Sequence, residues 1–376
     1  MNKNIQYKKL TDICEIITGE WGTEIKENSQ NIVSVIRTTN FLNNGKIDIQ
    51  NKELVKREMD KNKIEQKKLK KGDIIIEKSG GSPNQPVGRV VFFNLNSNDI
   101  FLCNNFTSIL RIKEKINSKY IFYFLRNSYK NNKVLKFQNK TTGIINLKLQ
   151  DYLNGSCIYL PELRIQNKVV NILDILESIL EKNQNYLNYL KELTKSLFTK
   201  YSDSKIVKSF YIKDISSELF AGGDKPNDYS ETTSKEYIYP VYSNGEKKEG
   251  LLCFSKTFKV DKEALTISAR GTIGFTVIRK ACFTPVVRLI TLIPNKNNNI
   301  IYLKYAIEEL NLKKLGSGVA QLTIPVFSKY KLNLPPIELQ NKFAERIEKI
   351  EKLKFTIWKI ISKVYKILKK KGVEKD

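Results

Sequence analysis

The segment LPELRIQNK, Leu160–Lys168, recurs as LPPIELQNK, Leu334–Lys342. In both places an apolar run ends in Leu-Pro and passes into a long amphipathic stretch through a shared Gln-Asn-Lys. Upstream, Thr142, Gly143, Asn146 and Leu147 stand to the first copy as Gly316, Gly318, Gln321 and Leu322 stand to the second. Self-similarity at a fixed period indicates one structural unit used twice. The repeat predicts a globule over residues 1–160, a long helix over 161–204, a second globule over 205–335 and a second helix over 336–376.

The segment 1–160 alternates short apolar runs with turn signals. Strands are predicted at Asn31–Arg37, Asp73–Glu77, Val87–Phe93 and Ser108–Ile112, and a helix at Ser118–Tyr129 with Ser118 as its cap. Residues 206–335 repeat the order with strands at Ala264–Ser268, Gly274–Ile278 and Val286–Leu292 and a helix at Ile300–Leu310. Each globule therefore reads as α+β.

The stretches after each Leu-Pro carry heptad seams. Val169, Ile172, Leu176, Ile179, Asn183, Tyr186, Leu190, Leu193 and Leu197 recur in steps of three and four, as do Phe343, Ile347, Ile350, Lys354, Ile357, Ile361, Val364 and Leu368. Helices of roughly 35–40 residues run roughly 50–60 Å. The economical partner for each seam is the other helix of the same chain, paired antiparallel as a two-helix coiled coil; pairing between chains, giving a homodimer, is the alternative. Asn183 and Lys354 are polar seats in these seams, of the kind that fix register or reach solvent.

The 376 residues contain no histidine, which excludes Ser-His-Asp and Cys-His catalysis and every histidine-based zinc site. Cys14, Cys103, Cys157, Cys253 and Cys282 are scattered and odd in number, so neither a disulfide frame nor a zinc knuckle is expected. No apolar run approaches the roughly 18 residues that span a bilayer, and the N-terminal residues have no apolar signal core; the expected location is the cytoplasm. The net charge of +26 points to a polyanionic partner, although codon usage in an AT-rich genome also enriches lysine, asparagine and isoleucine.

No catalytic constellation emerges. Gly45-Lys46 lacks the upstream glycine of a phosphate loop, Pro335-Pro336 lacks the flanking residues of an amino-methyltransferase, and the Glu-x-Lys triplets at Glu24, Glu65 and Glu246 lack an acidic partner on a buried strand. Recognition chemistry is better represented. Lys78, Ser79, Gly80, Gly81 and Arg89 form one loop set in the first half, and Arg270, Gly271 and Thr272 form its counterpart. A second set precedes each Leu-Pro: Lys140, Thr141, Thr142, Gly143 and Asn146, matched by Gly316, Ser317, Gly318 and Gln321. Arg37, Thr38, Thr39 and Asn40 form a third, with Ser243, Asn244 and Gly245 in the corresponding place. Arginine suits guanine and a side-chain amide suits adenine, while glycine allows close approach to phosphate. Lys369–Lys371 reads as a solvated helix end.

With Leu160, Pro161 and Gln166, then Leu334, Pro335 and Gln340, at the helix entries, the chain resembles the specificity subunit of type I restriction-modification enzymes along its whole length. Lys71-Gly72-Asp73 with Ile74–Ile76 and Gly88-Arg89, and Ile36-Arg37 with Asn40 and Gly45, are similar to the family's first-domain pattern; Glu263-Ala264 departs from it in the second. The resemblance implies two target recognition domains, separated by the coiled coil and each reading half of a bipartite DNA sequence. It also implies two methyltransferase subunits on the helices, restriction subunits where present, and no cofactor on this chain. S-adenosylmethionine, ATP and Mg²⁺ would then serve the partners. A coiled-coil adaptor for two protein-binding modules, or a nuclease or methyltransferase acting alone, are the competing readings.

Overall fold

The computed structural model describes residues 7–82, 85–113, 115–140, 144–204, 206–310, 312 and 321–370. The chain divides into two compact units, residues 1–182 with 360–376, and residues 183–359. Both are α+β and built on one plan. In the first, an entry strand Tyr7–Lys9 pairs antiparallel with Cys157–Tyr159, the strand that runs into Leu160-Pro161. In the second, Lys208–Tyr211 pairs in the same way with Lys331–Leu334.

A four-stranded antiparallel sheet in the first unit has the spatial order Cys14–Thr18, Thr107–Ile112, Ile74–Glu77, Val90–Phe92. Its counterpart runs Ser216–Ala221, Ile290–Pro294, Ala264–Ile267, Thr276–Arg279. Beside each lies a three-stranded sheet: Val55–Glu58, Ile32–Ile36, Phe101–Cys103 in the first unit, and Leu251–Ser255, Tyr239–Tyr242, Thr284–Pro285 in the second. In both, the last strand runs parallel to the middle one. Ile74, Ile75 and Ile76 form an unbroken apolar strand because both faces are covered: Ile74 and Ile76 pack with Ile121 and Leu125 of the helix Ser118–Lys130, and Ile75 packs with Ile36 and Cys103.

The repeated Gln-Asn has a physical role. Asn117, one residue before the expected Ser118, caps the helix by accepting hydrogen bonds from the N–H groups of Lys119 and Tyr120 at 2.9 and 3.2 Å. The Asn117 N–H donates to Gln166 Oε1 at 2.9 Å, Gln166 Nε2 donates to the Pro161 carbonyl at 2.8 Å, and Asn117 Nδ2 donates to Asn167 Oδ1 at 2.7 Å. Asn299 caps Ile300–Glu309 and is held by Gln340, Pro335 and Asn341 through the same three bonds, each at 2.9 Å. Gln166 and Gln340 are 3% and 1% exposed, so these amides are satisfied by protein and not by water.

The two long helices span Leu163–Ser202 and Ile337–Lys370. Val170 and Leu173 of the central helix share the first unit's core with Val364 and Leu368 of the C-terminal helix. In the second unit, Phe198 and Tyr201 meet Phe343 with ring centroids 5.8 and 5.9 Å apart. The two helices are therefore antiparallel. The C-terminal seam buries Phe343, Ile347, Ile350, Ile361, Val364 and Leu368, as expected, while Lys354 reaches Glu351 at 2.8 Å.

The central seam differs from expectation. Val170, Leu173, Leu187, Thr194, Phe198 and Tyr201 are buried, whereas Ile172 (52%), Tyr186 (57%) and Leu193 (46%) are exposed. Apolar residues occupy adjacent stripes of this helix, and periodicity cannot choose between them. Gln166 chooses: Leu173, Leu187, Thr194 and Tyr201 lie whole heptads beyond it, so the inward turn of Gln166 sets the phase of the helix.

Two predicted strands, Val87–Phe93 and Val286–Leu292, start three or four residues later than expected. Val90–Phe92 starts late because Gly88 takes φ +111°, and a Cβ there would come within 3.0 Å of Val134. Ile290–Pro294 starts late because Val287 and Arg288, at φ +55° and +62°, turn the chain first.

The clamp yields a prediction. Gln166→Glu keeps the acceptor for Asn117 but sets a carboxylate oxygen against the Pro161 carbonyl, and should cost about 2–3 kcal/mol at pH 8. Protonation restores a donor, and burial raises the new carboxyl's pKa, so the loss should shrink as pH falls towards 5. Urea unfolding at both pH values measures this; equal loss at both would refute the donor role.

Candidate nucleic-acid interface

The first unit joins its candidate loops. Strand Ser79–Gly81 pairs with Ile145–Leu147, which pairs in turn with Gln138–Lys140, so Ser79, Lys140 and Asn146 share one small sheet. Ser79 Oγ donates to Asn146 Oδ1 at 2.6 Å, and the Leu147 N–H donates to the Lys78 carbonyl at 2.8 Å. Partial burial pulls the Lys78 ammonium below its ordinary pKa. Gly80, at φ +99°, is exposed with nothing within 4 Å of where a Cβ would stand.

The second unit repeats the junction with different side chains. Sheet register aligns Ala269 with Lys78 and Arg270 with Ser79. Arg270 donates to Gln321 Oε1 from Nε at 3.0 Å and Nη2 at 2.5 Å, and the Leu322 N–H donates to the Ala269 carbonyl at 2.9 Å. The same two positions are thus joined in both copies. Asn244 binds in two further loops, donating to the Val287 carbonyl at 2.6 Å and accepting from the Ala269 N–H at 2.7 Å.

Several expected DNA contacts have structural tasks instead. Arg89 holds Glu77 through two bonds, Nε–Oε2 at 3.0 Å and Nη2–Oε1 at 2.8 Å, and also donates to the carbonyls of Thr38 (3.2 Å) and Phe41 (3.4 Å). Asn40 is fully buried: its Oδ1 accepts from the Arg37 N–H, and its Nδ2 donates to Asp48 and Lys52 carbonyls, all at 3.0 Å. The side chains of Arg89, Asn40 and Asn244 are committed within the protein. Gly45, at φ +82°, lies so close to Phe122 that a Cβ would stand 2.4 Å from the ring.

Arg37, Thr38, Ser243 and Thr272 are half-buried at the loops, and the Nε of Arg37 and the Oγ1 of Thr272 have no hydrogen-bond partner among the described residues. Thr141, Thr142 and Ser317 lie outside the described residues, as do Gly143, Gly316, Gly318 and Lys371; Lys140 is described only as a strand residue.

Arg279 was missed by the sequence reading. It is 4% exposed, donates from Nε to Thr266 Oγ1 at 2.9 Å, and lies 3.7 Å from the Tyr242 ring centre. Its Nη2 also donates to the Glu249 carbonyl, bracing the second unit's loops much as Arg89 braces the first unit's. An arginine inside an apolar strand, TVIR at Thr276–Arg279, was the available signal. Among the described residues, no cluster of three or more acidic, cysteine or histidine side chains could hold a metal ion, and no helix is long and apolar enough to cross a membrane.

Two modules of one fold, each joining loops rich in amide, hydroxyl and cationic groups, in a chain of charge +26, define a duplicated nucleic-acid reader. The chain belongs to the type I restriction modification DNA specificity domain family, whose profile matches residues 2–192 and again 205–370. It is a DNA-recognition subunit and not a catalytic one.

A relative named as a type I specificity subunit of Mycoplasma pneumoniae is 31% identical over 66% of this chain and 77% of its own. One named as a type I restriction enzyme specificity subunit of Methanocaldococcus jannaschii is 26% identical over 93% of this chain and 87% of its own. The crystal structure of a type I restriction-modification S subunit from M. genitalium shares the fold, with a TM-score of 0.66 at 15% identity over 100% of this chain and 98% of that one.

The bracing role of Arg89 predicts that Arg89→Met, which strands the buried Glu77 carboxylate, costs about 3–5 kcal/mol. Adding Glu77→Leu should recover most of that loss in the same denaturation assay.

Proposed function

We propose that each unit reads one half of a bipartite DNA target, and that the long helices set the number of unread base pairs between the halves. The observation that carries this reading is the repeated junction, Ser79–Asn146 in one unit and Arg270–Gln321 in the other, on a common frame. Equal frames with unequal side chains suit two related but different half-sites. Arg37, Thr38, Lys78, Ser79, Lys140, Thr141, Thr142 and Asn146 would serve the first half-site. Ser243, Arg270, Thr272, Ser317 and Gln321 would serve the second.

Two methyltransferase subunits would grip the helices, whose outer faces expose Ile172 and Ile175 in the first unit and Tyr189, Phe355 and Trp358 in the second. Where restriction subunits are present they would join this assembly. A chain solved in the assembled type I restriction-modification system shares this fold, with a TM-score of 0.52. S-adenosylmethionine, ATP and Mg²⁺ would be bound by those partners, and the assembly would work in the cytoplasm beside the chromosome.

Mapping methylated adenines with and without the gene tests the reading, since one bipartite motif should disappear. Inserting one heptad into both helices should lengthen the spacer of that motif and leave its halves unchanged. Replacing residues 1–160 by another recognition domain should change one half only. Binding should weaken steeply with salt, as phosphate contacts require, and a protein adaptor would show no such DNA affinity.

A further inference from the structure

Phe106 and Arg288 occupy the same place in the two units. The register pairs Glu77 with Thr107 and Ile76 with Ser108 in the first, and Ile267 with Ile290 in the second, so the residue before Thr107 corresponds to the residue before Leu289. Each sits on a turn pressed against a glycine. A Cβ at Gly19 would stand 2.0 Å from the Asn104 carbonyl oxygen, and one at Gly222 would stand 2.6 Å from the Val286 nitrogen. Such approach excludes any other residue and fixes the turn.

The turns are also tied to the candidate interface. The Phe106 carbonyl accepts the N–H groups of Lys78 and Ser79 at 2.9 and 3.2 Å, and the Asn104 N–H donates to the Ile36 carbonyl at 3.1 Å. In the second unit the Asn244 amide bridges Val287 to Ala269, and the Arg288 N–H donates to the Gly222 carbonyl at 3.0 Å. Val287 and Arg288 both hold left-handed backbone, which a β-branched or long side chain adopts only under constraint. Yet the side chains face solvent. Phe106 is 47% exposed, and the exposed Arg288 guanidinium has no hydrogen-bond or ion-pair partner among the described residues.

From this we infer that Phe106 and Arg288 are specificity-determining residues, one per half-site, with Arg288 reading a guanine and Phe106 an A·T pair through the thymine methyl. The inference rests on the DNA-reading function proposed above. A rigid turn presenting one uncommitted side chain suits base reading, because little rotational freedom of the backbone is lost on docking. Free arginine makes a bidentate contact with guanine O6 and N7, and an exposed phenyl ring makes an apolar contact with the thymine methyl.

The test uses the full chain assembled with its methyltransferase partners and a randomised duplex DNA library, with selected sequences read out. Arg288→Ala should lower discrimination for guanine at one position of one half-site by about tenfold to a hundredfold, leaving the other half-site unchanged. Arg288→Gly, which also relaxes the left-handed backbone, should do the same with the fold retained. Phe106→Ala should relax one A·T position in the other half-site. Selection of the unaltered motif by these variants would overturn the inference, as would a uniform loss at all positions with a reduced salt slope, the mark of a phosphate contact. Failure of the unsubstituted assembly to select any motif would instead count against the DNA-reading function itself.

Discussion

The structure depends most on a side-chain amide that bonds in two directions. Gln166 accepts from the cap residue of the recognition module's helix and donates to the proline carbonyl at the start of the long helix; Gln340 does the same in the other unit. Neither a carboxylate nor an ammonium could fill both roles, since one end must accept and the other donate. Because the amide is buried, its bonds fix the angle at which the long helix leaves the module, and with it the face that turns inward for the heptads beyond. A helix that sets a spacer, as proposed above, needs such a joint. Without it, the position of the reading loops and the phase of the helix would vary independently.

A second constraint governs which cations can read DNA. Arg89 and Arg279 are half or fully withdrawn from solvent and spend their donors on carbonyls, a carboxylate and a hydroxyl of the loops they brace. Removing these donors would leave loop carbonyls unpaired, so the arginines belong to the frame. The exposed Arg270 is held only by the half-buried Gln321, and the Arg288 guanidinium has no partner among the described residues. Positive charge is abundant along the chain, but the guanidiniums proposed above to read bases are the few that the frame does not use.

The duplication, the α+β character of each module and the antiparallel helices were legible because each leaves a periodic trace. Leu-Pro and Gln-Asn-Lys mark the joints, Ile74–Ile76 marks a strand covered on both faces, and the C-terminal seam buries most of the residues that its spacing selects, with Lys354 and Ile357 only half-buried. The central seam was displaced because neighbouring apolar stripes compete, and the residue deciding between them is the polar Gln166, which a hydrophobic pattern ignores. At the interface, residue type misled in a consistent way. Asn40, Arg89 and Asn244 have the right chemistry for bases, but side chains with several donors and acceptors are also what a turn without regular structure needs to satisfy its backbone. Their exclusion requires the hydrogen-bond partners, which span up to 51 residues of sequence.

The same reasoning explains how one frame can serve two half-sites. The bonds that recur without change, from Gln166 and Gln340 to their proline and asparagine partners, lie at the joint with the helix. The bonds that change, Ser79 with Asn146 against Arg270 with Gln321, lie at the loop junction. At that junction the backbone link is kept, Leu147 to Lys78 and Leu322 to Ala269, so the loops stay together whichever side chains they carry. Substitution can therefore alter what a module reads without disturbing how it is held, because the side chains exposed to a ligand are not those on which the fold relies.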